Sequence, residues 1–273
     1  MIRLVTANIQ HALVAGARTD LDRLGHALAG LDGDVVALQE VDRGQTRSGD
    51  ADQARELAAA LGTREHRFLP ALVGPLAPWY RRRRATAADL DHAAHPGHAP
   101  DLPGYGIALL SRHPVRAWRP MRLPGPNVPG LPPLGVDEPR VALAAAVATP
   151  DGTVTVVTTH LSRVDPWRRA QLRALRHRLR HAPRPLVLLG DLNTRDAVPA
   201  RRTGWRELVH VPTYPAARPW LRIDHVLTDG DVRAAAAARA VDLGVSDHRA
   251  VVVDVVLGND ETPHHAKDGA RDG

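Results

Sequence analysis

The chain has 273 residues, enough for one large domain or two small ones with a substantial core. It carries 36 basic and 30 acidic residues, a net charge of +6, but only one lysine, Lys267, and its arginines are scattered along the chain, which coding bias towards GC-rich codons explains as well as a nucleic-acid partner does. It has no cysteine, so disulfides and thiolate metal sites are excluded and any metal must be held by oxygen and imidazole.

No apolar run approaches membrane-spanning length. The first strand pattern begins at Ile2, which leaves no amino-terminal segment spare for cleavage; a cytoplasmic monomer is expected. Strand signals continue without a linker-like gap to Leu257, giving one domain over 1–257 and a polar, glycine-containing disordered tail over 258–273.

In chain order, IRLVTA is a strand that ends on Asn8. Residues 19–31 place Leu21, Leu24, Leu28 and Leu31 at helical steps, and residues 34–40, DVVALQE, are an apolar strand ending in the carboxylate of Glu40. A second amphipathic helix covers 50–61 and is closed by Gly62. From 79 to 104 the pattern fails: four arginines at 81–84, then His92, His95 and His98, read as a structureless stretch that is either functional or mobile. On an irregular loop the three histidines read as a solvated tract rather than a metal site. The arginine run is a solvated face or, on a functional reading, a clamp for a phosphate-rich substrate.

Residues 105–112, YGIALLSR, resume as a strand, and 115–123 are expected to pair with it. A Pro- and Gly-rich excursion over 124–139 precedes two strands, 140–149 and 153–159, flanking the hairpin signal Pro150-Asp151-Gly152. The second of these delivers His160 at its end. Asp165-Pro166 caps and opens a helix continued by Trp167, Ala170, Ala174, Leu175 and Leu179. PLVLLGDLN, residues 185–193, then reads as a strand buried on both faces, cut off by Gly190 and Asp191. After an irregular stretch to Leu221, strands at 223–228 and 250–257 bracket Ser246-Asp247-His248.

Two strand, helix, strand units share a grammar. Asn8 and Glu40 lie 32 residues apart, His160 and Asp191 lie 31 apart, and each pair flanks a helical pattern. This is a weak internal repeat, two halves stacked with their polar strand ends together. An Asp and an Asn at a strand's carboxyl end, here Asp191 and Asn193, can point into one crevice.

The polar set is Asn8, Glu40, His160, Asp191, Asn193, Asp224, Asp247 and His248. Four carboxylates in one crevice repel one another unless a cation sits among them. Amide and carboxylate oxygens without thiolate suit Mg²⁺ or Mn²⁺ better than Zn²⁺. With two histidines to hydrogen-bond anionic oxygens, this is an inventory for metal-assisted hydrolysis of a phosphate ester.

The motifs Thr6-Ala7-Asn8-Ile9, Leu38-Gln39-Glu40, Tyr105-Gly106 with Leu110-Ser111-Arg112, Thr159-His160-Leu161, Gly190-Asp191-Leu192-Asn193, Ile223-Asp224-His225 and Ser246-Asp247-His248 occur in one order over residues 2–257. In that order they resemble the endonuclease/exonuclease/phosphatase superfamily. The resemblance implies an α/β fold, a four-layered sandwich of two central mixed β-sheets flanked by helices, and a catalytic role for the 1–257 domain. It implies that Glu40 with Asn8 holds the divalent metal, with Asp247 nearby; that Asp191 is the base for the attacking water; that Asn193 fixes Asp191 and a phosphate oxygen; and that His248, held by Asp224, donates to the phosphorane. His160 would contact another phosphate oxygen, and Tyr105 and Arg112 match substrate-binding positions.

Departures from the pattern bear on substrate. Abasic-site endonucleases of the superfamily commonly follow the metal-binding Glu with Thr-Lys, whereas Val41-Asp42 follow Glu40, and the chain has a single phenylalanine, Phe68. Thr213-Tyr214-Pro215 ahead of Asp224 is similar to small bacterial hydrolases of the superfamily, some related to sphingomyelinase-type phosphodiesterases. A small phosphoester or lipid headgroup is therefore favoured over nucleic acid, with a DNA nuclease or a non-catalytic binding module as the alternatives.

Overall fold

Strands that are apolar at every position imply cover on both faces, and the computed structural model, which describes residues 1–14, 18–75, 82–95, 102–125 and 137–258, supplies it. The chain runs through β1 (Ile2–Asn8), a 3-10 turn (Gln10–Ala12), a ribbon of β2 (Leu13–Val14) and β3 (Arg18–Thr19), α1 (Leu21–Ala29), β4 (Val35–Arg43), α2 (Gln53–Ala60), β5 (Glu65–Val73), β6 (Arg83–Arg84), α3 (Ala87–Ala94) and β7 (Gly104–Ser111). It continues through β8 (Val115–Arg122), β9 (Val141–Thr149), β10 (Gly152–His160), α4 (Asp165–Leu179), β11 (Leu186–Asp191), α5 (Val198–Thr203), β12 (Arg206–Glu207) and β13 (Asp224–Asp229). Finally β14 (Val232–Ala234), β15 (Arg239–Val241) and β16 (Ala250–Leu257) return to the first sheet.

The first sheet is ordered β14-β16-β1-β4-β7-β5-β6, with β15 also on β16; the second is β12-β13-β11-β10-β9-β8. Alternate residues of each strand face opposite layers. Leu4, Val35 and Leu109 meet Leu143, Val156, Val187 and Val226 between the sheets. Val5, Val36 and Leu110 face the other way, onto Leu24 and Leu28 of α1 and Leu57 of α2. On the far side Leu186 and Leu188 face Leu172, Leu175 and Leu179 of α4. The result is the four-layered sandwich. Within it β1 and β4 are parallel, as are β10 and β11, so the two strand, helix, strand units are real and stand in different sheets.

Several local expectations need correction. The 115–123 strand does not pair with the 105–112 strand, because β7 already has β4 on one edge and β5 on the other; β8 pairs with β9 in the second sheet instead. The stretch 79–104 is not structureless, since β6 and α3 lie inside it. Thr86 and Asp89 form a capping box that starts α3, Arg83 pairs with Asp89, and Arg84 donates to the Leu123 carbonyl. Arg81 and His98 lie outside the described residues, as does the expected tail apart from Gly258. The stretch before Leu221 contains α5 and β12, and α4 is capped at Val164 with Asp165 already in its first turn.

Charge is not evenly scattered along the chain. Residues 163–206, which carry α4 and α5, hold twelve arginines and three acids, whereas residues 20–62, which carry α1 and α2, hold nine acids and four arginines. The helical layer of α4 and α5 is basic, whereas α1 and α2 each balance one acid against one arginine. No helix among the described residues is long and apolar enough to cross a membrane.

Candidate functional site

Because β1 and β4 are parallel, and β10 and β11 are parallel, the ends of all four strands come to one edge of the sandwich. There His160 stands in register with Asp191, and Asp191 with Asp224 on antiparallel β13. Gln39, fully buried just before Glu40, ties the sheets together by donating to Thr6 Oγ1 at 3.2 Å in its own sheet and to Thr158 Oγ1 at 3.1 Å in the other.

Backbone strain marks this edge. Glu40 has φ +56° and sits where the β4/β7 register slips between Gln39 and Val41, a bulge that turns its side chain out of the ladder. Asn193 (φ +49°) and Ser246 (φ +74°) share the left-handed conformation, which costs about 1–3 kcal/mol for a non-glycine residue. Gly190 has to be glycine: at φ +149°, a Cβ there would lie 2.0 Å from the Thr159 carbonyl oxygen.

The side chains then interlock. The Asn8 amide donates to Glu40 Oε1 at 3.0 Å and to Asp191 Oδ2 at 3.1 Å, while its Oδ1 accepts from the Gln10 N–H at 3.1 Å. The other Asp191 oxygen accepts from the Asn193 N–H at 2.9 Å. The Asn193 amide donates to the Leu161 carbonyl at 2.9 Å and to His160 Nε2 at 3.0 Å, so that nitrogen of His160 is an acceptor. His248 Nδ1 bonds Asp224 Oδ2 at 2.9 Å, and its Nε2 stands 3.8 Å from Asp191 Oδ2. Thr213 donates to the same Asp224 oxygen, and the Tyr214 ring lies 4.9 Å from that of His248. Ser246 Oγ donates to the Asn8 carbonyl at 2.7 Å and accepts from the His248 N–H at 3.1 Å, pinning the turn that carries Asp247 against the end of β1.

Electrostatics follow from this packing. Burial and the nearby Asp224 charge push Asp191 up to about 6, against the His248 cation and the bonds from Asn193 and Asn8. Burial disfavours the charged ring of His248, but Asp224, Asp191 and Asp247 outweigh it and raise His248 to about 10. Burial, with Arg140 and His248 adding repulsion, holds His160 well below the usual histidine range. The 3.4 Å approach of His160 to Asp191 is therefore a neutral contact, not an ion pair. Burial raises Glu40, opposed by the Asn8 bond and reinforced by Glu138. Burial with the Glu40 and Glu138 charges raises Tyr105 well above an ordinary phenol.

A hard divalent cation fits the donor set. Asp191, Asp224 and His248 place ligand atoms within 4.8 Å of one another, but an imidazolium wedged between two carboxylates is itself the cation there. The other flank differs. Asn8 is the only described donor to the Glu40 carboxylate, and the half-buried Asp247 side chain has no hydrogen bond or ion pair among the described residues. Their free oxygens leave negative charge that a cation would neutralise.

Of the expected residues, Asn8, Glu40, His160, Asp191, Asn193, Asp224 and His248 are brought into one hydrogen-bonded group, with Asp247 on the adjoining turn. Tyr105 is buried at this edge, opposite Asp42, under the guanidinium of Arg47, which lies 5.4 Å from its ring and forms a bidentate pair with Asp42. Arg112 is not at this edge. It follows the far end of β7, its N–H bonds the Asp34 carbonyl and its guanidinium pairs with Asp32, which removes it from the substrate-binding set. Sequence reasoning passed over Arg140 and Glu138. Their only signal is register: β9 runs antiparallel to β10 with Ala142 opposite Thr159, so the residues just before it stand beside His160.

The family model described as the Endonuclease/Exonuclease/phosphatase family matches residues 5–248. Among solved structures, the chain is similar to an endonuclease/exonuclease/phosphatase from Beutenbergia cavernae, with 26% identity and a TM-score of 0.68 over 94% of this chain and 72% of that one. It is similar to a mannosyl-6-phosphatase from Bacteroides thetaiotaomicron, with 14% identity and a TM-score of 0.61 over 94% and 100% of the two chains. A Staphylococcus aureus beta toxin with bound magnesium ions matches with 13% identity and a TM-score of 0.61 over 92% and 98%. A sequence comparison with curated proteins finds no match.

Proposed function

The chain belongs to the endonuclease/exonuclease/phosphatase family, whose members are hydrolases acting on phosphoester bonds, and from that premise we propose that it is a divalent-metal-dependent phosphohydrolase cleaving a phosphodiester or phosphomonoester by water attack on phosphorus. The observation that carries the reading is the Asn8 amide bonded at once to Glu40 and Asp191, which makes a candidate metal ligand and a candidate base parts of one assembly. Glu40, with Asn8 and Asp247 beside it, would hold Mg²⁺ or Mn²⁺; when bound, the ion polarises a phosphate oxygen and offsets charge on the leaving group. The magnesium-bearing beta toxin structure is consistent with that choice for the shared fold.

The chain's own residues supply the remaining chemistry. Asp191, raised to about 6, is an acceptor suited to taking a proton from water near neutral pH, and Asn193 and Asn8 fix its two oxygens. His248, kept protonated by Asp224, donates to the negative charge that develops on the phosphoryl oxygens. His160, neutral and with Nε2 accepting from Asn193, has its other ring nitrogen left to donate to a phosphate oxygen. Tyr105, buried at the same edge, would line the substrate side.

A small phosphoester or lipid headgroup remains the preferred substrate class, since Asp42 follows closely behind Glu40 and its charge is already taken by Arg47. One observation favours a second reading, a nuclease of the same family: the basic layer of α4 and α5. Turnover of a chromogenic phosphodiester, a phosphomonoester, sphingomyelin and abasic duplex, each with and without Mg²⁺ or Mn²⁺, tests the proposal. Hydrolysis of at least one with a divalent-metal requirement is expected; no metal binding at millimolar Mg²⁺ or Mn²⁺ by calorimetry would overturn it.

A further inference from the structure

Arg140 is a buried charge at this edge that has no task in the hydrolytic chemistry of Asp191, His248 and His160. Its side chain is only 5% exposed, and its Nε is enclosed without a partner. Nη2 lies 3.6 Å from Asp137 Oδ1 and 3.7 Å from Glu138 Oε2, too far for hydrogen bonds, and Arg140 donates none to any described residue. Asp137 is turned to another task, because its carboxylate accepts from Ser162 Oγ. A guanidinium presents five N–H donors in a rigid fork, and enclosing it with none of them bonded is costly unless an anion completes the set.

The space for one oxygen of such an anion exists. Arg140, Tyr105 and His160 line a cavity of about 10 Å³, room for one water or one ligand oxygen, whose other walls include the apolar Ala71, Ile107 and Val141. Water would satisfy one donor there; a phosphate oxygen would satisfy the donor and the charge together, and the fork of arginine matches phosphate geometry.

We propose that Arg140 is a phosphate-binding residue, its guanidinium receiving a non-bridging phosphoryl oxygen from the Tyr105 and His160 side of the crevice. This rests on the phosphohydrolase reading for the identity of the ligand and adds to it a recognition residue. Arg140 then counters, on the substrate, the repulsion that Glu40, Glu138 and Asp191 impose on an incoming anion.

The test is binding of inorganic phosphate, measured by calorimetry with and without Mg²⁺, to the wild-type protein, Arg140→Gln and Arg140→Lys, each checked for folding by thermal unfolding. Wild type is expected to bind phosphate, Arg140→Gln to bind it at least tenfold more weakly, and Arg140→Lys to fall between, since it keeps the charge and loses the fork. Equal phosphate affinity in wild type and a folded Arg140→Gln overturns the proposal. If Arg140→Gln does not fold, unchanged affinity in Arg140→Lys together with an unchanged KM for a turned-over phosphoester does the same. Arginine-dependent phosphate binding without turnover of any phosphoester leaves this inference standing and counts against the catalytic reading. Turnover with wild-type KM in Arg140→Gln counts against this inference alone.

Discussion

Asn8 and Asp191 stand 183 residues apart in sequence and 3.1 Å apart in space, the amide of one donating to the carboxylate of the other across the seam between the two sheets. The same amide holds Glu40 at 3.0 Å. One neutral side chain thus keeps two carboxylates in a common arrangement that their mutual repulsion opposes.

Asn8→Ala removes the donor and leaves both carboxylates facing an unfilled space. Urea denaturation should show a loss of about 2 kcal/mol, the cost of leaving buried polar groups unpaired, and phosphoester turnover should fall with it. Unchanged stability would mean that the bridge contributes nothing to the fold.

Asp191→Asn preserves shape and removes proton acceptance. Turnover should drop by roughly a hundredfold or more while the thermal unfolding profile stays close to wild type. A variant with undiminished activity would show that another group takes the proton.

Asp224 and His248 act as a unit through their 2.9 Å bond. In a mutant cycle on turnover, the combination of Asp224→Asn with His248→Ala should cost little more than His248→Ala alone. Full additivity would contradict the pairing.

The same pair sets a pH dependence in the metal-free protein. His248 is raised to about 10 from an ordinary value of 6.5, so its contribution to stability is fully present below about 6.5 and is lost as pH rises towards 10. NMR titration of the ring should show it protonated through neutral pH, and Asp224→Asn should move its midpoint down. A wild-type midpoint near 6.5 would refute the assignment.

The basic layer gives a salt prediction. Arg173, Arg176 and Arg178 on α4 and Arg180 at its C-cap are exposed with no carboxylate partner among the described residues. Retention on a heparin column should fall when all four become alanine, while hydrolysis of a small phosphoester is unaffected. Affinity for single-stranded DNA with a steep salt slope, lost in the same variant, would favour the nuclease reading; a slope shallow enough for one or two contacts would favour the small substrate.

The sequence alone determined the parts whose cause is local. Leu186–Leu189 form a strand covered on both faces because nothing polar interrupts them until Gly190, and Leu24 and Leu28 form a helix face because their spacing leaves no other apolar surface. The polar residues that end these elements, Asn8, Glu40, His160 and Asp191, were legible for the same reason, and the likeness of the two units pointed to their convergence. Only the tertiary structure decided the features that arise from pairing between distant segments. β8 joined β9 because β7 had no free edge, Arg112 was carried to the far end of its strand while Tyr105 stayed at the site, and Arg140 reached His160 through the register of β9 on β10. The basic layer, by contrast, is local in origin: twelve arginines already lie in the one stretch 163–206 that includes α4 and α5. Local periodicity fixes which face of an element is apolar, but strand order and register depend on which edges other strands have already taken, and that is a property of the whole chain.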